Sequence, residues 1–462
     1  MKFGGGLLDF SGRNVPLIVK RLSEMKRAKD LGPLAVFSAP QGVTDRLQAI
    51  GEAKALGLNY DLNHIFESFS KLGSAQVEEG LLGKLQNELA SYRGDVEDAL
   101  LKVDKRFNGS IKARVLTSGG ELPTATLMSS ILRSRGLESC DLNKSMWPIV
   151  TDDDYENATP DYELSHKNLS RLVTLIEDGK AVCVAGFLGM TQDGLETLLG
   201  RGGSDQTAVF LSCLLRDRYA VETVLLKETP VQTADPKMVV EQERKRVLVM
   251  TYNEAQKATV SGMTIVQNAA VRLARSHRLP IRVTPLSDLE LTTMIQAEDP
   301  NPMVVKCVTG LRNCATIATS NDRSRSLDDC LRLWEGYDGF IDLGAEITDT
   351  GQAIRDFLVL DADFLRKNEK RLRSFDKEMK VEYGLGIVTL VGDQMSASSG
   401  IASIAIGSIP HINIKRGVFT PHTSQIILIL DERDVGNAVK AIHSAISKIP
   451  KALDSDCGSN AG

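Results

Sequence analysis

No stretch of this 462-residue sequence stays apolar for long enough to cross a bilayer. Its opening residues, Met1-Lys2-Phe3-Gly4-Gly5-Gly6, lack the apolar core of a secretory signal. The seven cysteines (Cys140, Cys183, Cys213, Cys307, Cys314, Cys330 and Cys457) are odd in number, scattered, and form no C-x-x-C pair. That argues against a disulfide framework or a zinc ribbon and predicts reduced thiols in a cytoplasm. The six histidines are isolated, so no protein-held metal is expected. A net charge of -5 leaves no basic footprint for nucleic acid. A G-x-x-x-x-G-K-[ST] run is missing too, which argues against a P-loop nucleotide site.

What is present is an ordinary globular composition, 42% hydrophobic and 25% charged. The length predicts about two to four domains, and the charge balance and the lack of a long apolar run predict no nucleic-acid or membrane partner. The densest stretch is Gly200-Arg201-Gly202-Gly203-Ser204-Asp205. It follows the apolar run Ala181 to Phe187 and a polar loop, and leads into the apolar run Ala208 to Leu215. That order predicts strand, loop, Gly-rich turn, helix. The glycines let backbone approach a ligand closely, and free N–H groups at a helix start favour an anion. Arg201 adds a planar fork for a carboxylate or phosphate. Ser204 and Asp205 are also good N-cap residues, so a plain capped turn is the competing account.

Other loops share this placement. Lys2 stands beside Gly4 and Gly5, whose backbone could cradle a phosphate; a flexible start is the alternative. Residues 15–29 have helical spacing, and Pro33 to Phe37 predicts a buried strand ending in Ser38-Ala39-Pro40-Gln41-Gly42-Val43-Thr44. Residues 45–110 read as mostly helical. Residues 111–117 alternate and predict a strand, after which Gly120-Glu121 opens a helix to about Arg135. Glu121 there either complements the helix dipole or receives a substrate ammonium. Trp147 to Val150 predicts a short strand and residues 151–167 a surface loop. Ala220 to Leu226 is a further strand before a loop with Asp235-Pro236, and Leu279 to Val283 another. Repeated strand-then-helix through residue 285 predicts an α/β layer with a mostly parallel sheet. Ligands in such sheets bind beyond the carboxyl ends of the strands. After residue 285 the segments read as β-α-β-β-α-β twice over, and the tail from Asp454 as disordered.

Taken together, Lys2-Phe3-Gly4-Gly5, Ser38-Ala39 with Gly42 and Thr44, Gly120-Glu121, the Gly200–Asp205 stretch and Asp235-Pro236 resemble the aspartate kinases of the amino acid kinase superfamily. The resemblance covers essentially the whole chain. It implies a three-layer kinase domain over residues 1–285, then paired ACT domains over 286–385 and 386–450, and a disordered tail at 451–462. Val391-Gly392-Asp393-Gln394-Met395 with Gly400-Ile401-Ala402 looks like the start of the second ACT domain. The implied activity is phosphorylation of the L-aspartate β-carboxylate by ATP with Mg²⁺. Lys2 and Asp205 would be catalytic. Thr44, Glu121, Arg201 and Ser204 would bind aspartate. Gly4, Gly5, Lys227, Asp235 and Lys237 would bind the nucleotide. A lysine or threonine effector at the ACT domains and a homodimer or larger assembly are also implied.

The chain departs from the family pattern in places. Gly6-Leu7 stands where Thr-Ser is usual, and Thr197-Leu198-Leu199 where threonines cluster. Leu226-Lys227 replaces Thr-Asp or Lys-Asp, Gln232 replaces Tyr, and Thr264 replaces a Lys that reaches the phosphates. Two alternatives follow. One is a kinase of another acidic amino acid such as glutamate; the other is a non-catalytic amino-acid-sensing homologue.

Overall fold

The computed structural model describes residues 1–448 apart from 29, 201, 264–265, 321–323, 325–326, 328–330, 332–338, 348, 350, 352 and 420–423, and apart from the side chain of residue 396. The predicted tail, Arg201 and Thr264 therefore lie outside the described residues, as does most of the helix read at Leu327 to Trp334. Two compact units emerge. One comprises residues 1–230 and 269–296; the other comprises 231–268 and the described residues from 297 onward.

The first unit is built on a sheet of short strands. These are β1 (Lys2–Phe3), β2 (Leu34–Phe37), β3 (Ser139–Asp141) and β4 (Ala181–Ala185). A hairpin of β5 (Leu188–Met190) and β6 (Glu196–Leu198) follows. Next comes β7 (Thr223–Lys227). The short strand β8 (Val249–Thr251) belongs to the second unit. The first is completed by β9 (Ile281–Pro285) and β10 (Thr293–Gln296). Strand order is β3-β4-β2-β1-β7-β9-β10. Neighbours are parallel as far as β9, and β10 returns antiparallel. The central strands are almost wholly apolar and buried, as a sheet covered on both faces requires. Phe3 and Phe37 stack at 5.0 Å on adjacent strands.

Helices of this unit are α1 (Val15–Ala28), α2 (Val43–Ala55), α3 (Asn63–Gln76), α4 (Glu79–Leu101), α5 (Gly109–Gly119) and α6 (Glu121–Ser134). Then come α7 (Tyr162–Lys167), α8 (Ser170–Glu177) and α9 (Gly203–Leu215). Helix α6 packs across β2, β3 and β4, and α9 across β1, β2 and β7. Residues 111–117 are helix α5, not the strand their alternation predicts. The alternation is short, and burial does not alternate: Ala113, Val115, Leu116, Thr117, Ser118 and Gly119 are all buried where α5 packs against α2, α4 and α6. Glu121 thus follows a helix–helix break at Gly120. Trp147 to Val150 is likewise no sheet strand. It makes one bridge, Val150 to Met190, while β3 takes the sheet edge. The predicted loop at 151–167 contains α7, capped by Asp161, which accepts from the Leu164 N–H at 2.9 Å.

In the second unit, α10 (Tyr252–Val260) carries a full capping box between Thr251 and Glu254. After α11 (Asn268–Ser276), whose body packs in the first unit, comes a six-stranded antiparallel sheet. Its strands are β11 (Cys307–Ser320), β12 (Phe340–Ile347), β13 (Ala353–Val359), β14 (Lys380–Val391), β15 (Ile414–Phe419) and β16 (Gln425–Asp431). The order is β12-β13-β11-β14-β16-β15. Helices α12 (Ala362–Leu372), α13 (Ile401–Gly407) and α14 (Val435–Ile446) accompany it. The two strand segments read at Val304 to Val308 and Ala315 to Ala318 are one strand, β11, irregular between Leu311 and Thr316. Its later half joins a core with Phe357, Val359 and Leu365, and Val308 in its first half joins another with Leu390, Leu428 and Val439. Packing therefore places 305–308 with the later module, although it precedes the earlier one in sequence. Gly310 lets α14 lie close: an added Cβ would stand 2.6 Å from Val435.

Phe357 is fully buried in its cluster. Phe357→Ala should cost about 3–5 kcal/mol, read as a lower denaturant midpoint for the second unit. An unchanged midpoint would remove Phe357 from the core.

Candidate active site

The parallel strands end together, and the loops beyond them carry the polar residues. Strand β1 delivers Lys2 into the interior, where it is only 6% exposed. The chain then turns through Gly4 and Gly5. A Cβ on Gly4 would meet Lys2 Nζ at 3.6 Å and the Leu226 carbonyl at 3.7 Å, and one on Gly5 would stand 2.8 Å from the Ala39 carbonyl. Backbone packs here without side chains between, as a phosphate-cradling turn needs.

Helix α9 starts from Gly202, whose φ of 71° lies in the left-handed region, as does that of Gly200. Gly202 is the cap. Ser204 and Asp205 sit inside the first turn and make no cap, because the two left-handed glycines set the helix start. Ser204 is buried against Gly186, where a Cβ would stand 2.5 Å from Ser204 Cβ. Asp205 is 2% exposed. One of its oxygens pairs with Lys2 Nζ at 2.7 Å and the other with Lys227 Nζ, at the end of β7, at 2.9 Å. Burial opposes ionisation of Asp205, yet Lys2 and Lys227 outweigh it and hold its carboxyl well below the usual carboxylate range. Burial pushes the Lys2 ammonium down, against the pull of Asp205. An ammonium has three donors, so each lysine keeps N–H capacity for an anion.

Glu121 opens α6 and is 4% exposed. Burial raises its pKa to about 8, opposed by the Ala39 and Glu121 backbone N–H groups and by Lys2. Among the described residues, its Oε2 has no hydrogen-bond partner. A buried carboxylate with an orphaned oxygen suits a ligand cation. Thr44, in the first turn of α2, is half-buried.

Lys2, Gly4, Gly5, Glu121, Ser204, Asp205 and Lys227 are thus assembled within the first unit. Asp235 and Lys237 belong to the second, where the Asp235 carboxylate accepts from the Lys237 N–H at 2.8 Å to form a turn. Sequence reasoning missed the Ala39 N–H that holds Glu121. Its only signal was the Ser38–Thr44 loop, whose backbone role leaves no side-chain trace.

A family model described as the amino acid kinase family matches residues 1–285, and the chain belongs to that family. Aspartokinase 2 of Bacillus subtilis is 25% identical over 412 residues, spanning 84% of this chain and 96% of that protein. Escherichia coli aspartokinase III, solved with aspartate and ADP, superposes with a TM-score of 0.78 at 20% identity, covering 97% of this chain and 99% of the other. The same enzyme with lysine and aspartate gives 0.69 at 20% identity, covering 96% and 98%.

The raised Glu121 pKa fixes a sign. Its folded value, about 8, exceeds the ordinary 4.5, so its neutral form's stability is present below pH 4.5 and is lost as pH rises through 8. Glu121→Gln should therefore gain in melting temperature relative to the parent between pH 5 and 9. A constant difference across that range would place an ordinary carboxylate there.

Proposed function

We propose that this protein is an aspartate kinase. An oxygen of the L-aspartate β-carboxylate attacks the γ-phosphorus of ATP, the bond to the β,γ-bridging oxygen breaks, and ADP and 4-phospho-L-aspartate result. The carboxylate is already ionised at neutral pH, its pKa being about 4, so no general base is needed. The requirement is to bring two anions together and stabilise the charge that spreads over the transferring group.

The observation that carries this reading is the buried Asp205 held between Lys2 and Lys227. Lys2 and Lys227 contact the transferring phosphoryl group and ATP phosphates, with Asp205 orienting both. Gly4 and Gly5 lend backbone approach. Glu121 takes the aspartate ammonium, Arg201 a carboxylate, and Thr44 and Ser204 donate hydroxyls. Asp235 and Lys237 serve the nucleotide side. Mg²⁺ would be held with the nucleotide and would neutralise phosphate charge there; both oxygens of Asp205 already pair with lysines and are not offered to it. In the sequence one usual cation is lost at Thr264 and another is gained at Lys227, which takes over its part in holding ATP. The similarity to an enzyme named aspartokinase supports the same substrate.

The two small modules of the C-terminal sheet act as ACT domains, falling broadly at 286–385 and 386–450, with a kinase domain over 1–285. They bind lysine or threonine as a feedback effector and join the chain into a homodimer or larger assembly in the cytoplasm. An effector acts only if it binds one state better than another. No described helix is long and apolar enough to cross a membrane. A decayed, non-catalytic homologue is disfavoured because Lys2 and Asp205 remain paired.

A coupled assay of ADP release with aspartate and glutamate, each with lysine or threonine added, tests the activity and its control. Activity with glutamate alone, or none at all, would overturn the proposal. Lys227→Ala removes one charge-assisted contact, about 1.5–3 kcal/mol. ATP KM should rise about ten-fold or more, with aspartate KM little changed; an unaltered ATP KM would detach Lys227 from the nucleotide. Arg201→Ala should raise aspartate KM by about ten-fold on the same grounds, and Arg201→Lys should restore little of it because the fork is lost. Unchanged aspartate kinetics in both would remove Arg201 from the site.

A further inference from the structure

Lys144 sits in the turn after β3, outside every motif read from the sequence. Its ammonium meets partners on three elements. It donates to Ser118 Oγ of α5 at 2.9 Å and to Asp95 of α4 at 3.1 Å, and pairs with Glu196 of β6 at 2.7 Å. Asp95 also pairs with Arg114 of α5 at 2.5 Å. Signs therefore alternate along Arg114, Asp95, Lys144 and Glu196. Ser118 is fully buried, and the Glu196 side chain is 10% exposed. A carboxylate that buried is costly without its partner, so Lys144 does more than decorate a surface.

The location matters more than the charge. Ser118 precedes Gly119-Gly120-Glu121 and so anchors the end of α5 that hands over to Glu121. Glu196 opens β6, which runs through Leu199 into the Gly200 turn and the first turn of α9 with Ser204 and Asp205. Helix α5 packs directly on β6. One ammonium group therefore ties the arm that carries Glu121 to the arm that carries Ser204. The loops with Gly4, Gly5 and Lys227 leave from β1 and β7, which supply no member of this network, and Asp205, on the same arm as Ser204, is held independently by Lys2 and Lys227.

We propose that Lys144 is a positioning residue for the amino acid substrate: by bridging Ser118 and Glu196 it fixes the spacing of the Glu121 and Ser204 arms, and so sets aspartate affinity without touching aspartate. This rests on the reading of Glu121 and Ser204 as aspartate-binding residues. A shift of one arm by a fraction of an ångström is enough to weaken a ligand held by both.

The test is steady-state kinetics of the full chain with both substrates varied. Lys144→Met keeps the stem and removes the charge. It should raise aspartate KM by about ten-fold while ATP KM stays within about two-fold. Lys144→Arg should recover most of the loss. Glu196→Gln, which keeps size and one oxygen, should shift aspartate KM in the same direction and decides the question if Lys144→Met does not fold. Parallel rises in both KM values would mean general loosening and overturn the proposal. An unchanged aspartate KM in Lys144→Met and Glu196→Gln, with Glu121→Gln raising it, would overturn the role of Lys144 alone. Unchanged aspartate KM in all three would remove the aspartate site itself, and the proposal with it.

Discussion

Asp205, buried and shared by two lysines, is the constraint on which the site depends. Two ammonium groups and one carboxylate leave a net positive charge in a place with little water. Such a charge is costly to keep unless an anion completes it. In the proposed reading the phosphates of the nucleotide supply that anion, and the carboxylate prevents the lysines from repelling each other apart. Each member comes from a different element: Lys2 from β1, Lys227 from β7 and Asp205 from α9. These adjoin because β1 pairs in parallel with β7 and α9 packs across both. The sheet order is thus the direct cause of the charge arrangement.

Glu121 works by the opposite logic. It is buried too, and burial, outweighing the pull of Lys2, keeps its pKa high at about 8; among the described residues it forms no ion pair. A ligand ammonium would supply the missing charge and draw the proton off. The site thus presents a positive end and an end waiting for a cation. Those are the two ends needed to orient a zwitterion beside a nucleoside triphosphate. Gly120 lets the start of α6 lie against the Ala39 loop, since a Cβ there would stand 2.9 Å from Ala39 Cβ.

Much of this was legible because the informative residues are short-range signals. Glycines at 200 and 202 announce a left-handed turn, and Lys2 beside Gly4 announces backbone approach. The strand-then-helix order was legible for β2, β4, β7 and β9, whose apolar runs are compact. Helix α5 was misread because a brief alternation mimics a strand when both faces of a helix are buried. Lys144 was invisible for another reason. Its partners lie at residues 95, 118 and 196, and no spacing along the chain reveals a junction made by three distant elements. Ser204 and Asp205 looked like caps because residue preference does not say which residue starts the helix.

The C-terminal sheet shows the same limit at the level of topology. Its β-α-β-β-α-β material is readable, but β11 and β14 each run through two core clusters. Ile317 of β11 and Val381 of β14 lie with the cluster around Phe357; Val308 and Leu390 lie with that around Val439. Strands pair in fixed register, and a slip of one residue exchanges buried for exposed faces. The irregularity at 311–316 absorbs the change of partner between the two halves. A ligand that alters one module must either distort that irregularity or carry the shared strands with it. Since a one-residue slip along β11 would expose both cores at once, the low-cost response is a bend at the bulge. Coupling between the modules is thus built into two continuous strands and needs no separate linker.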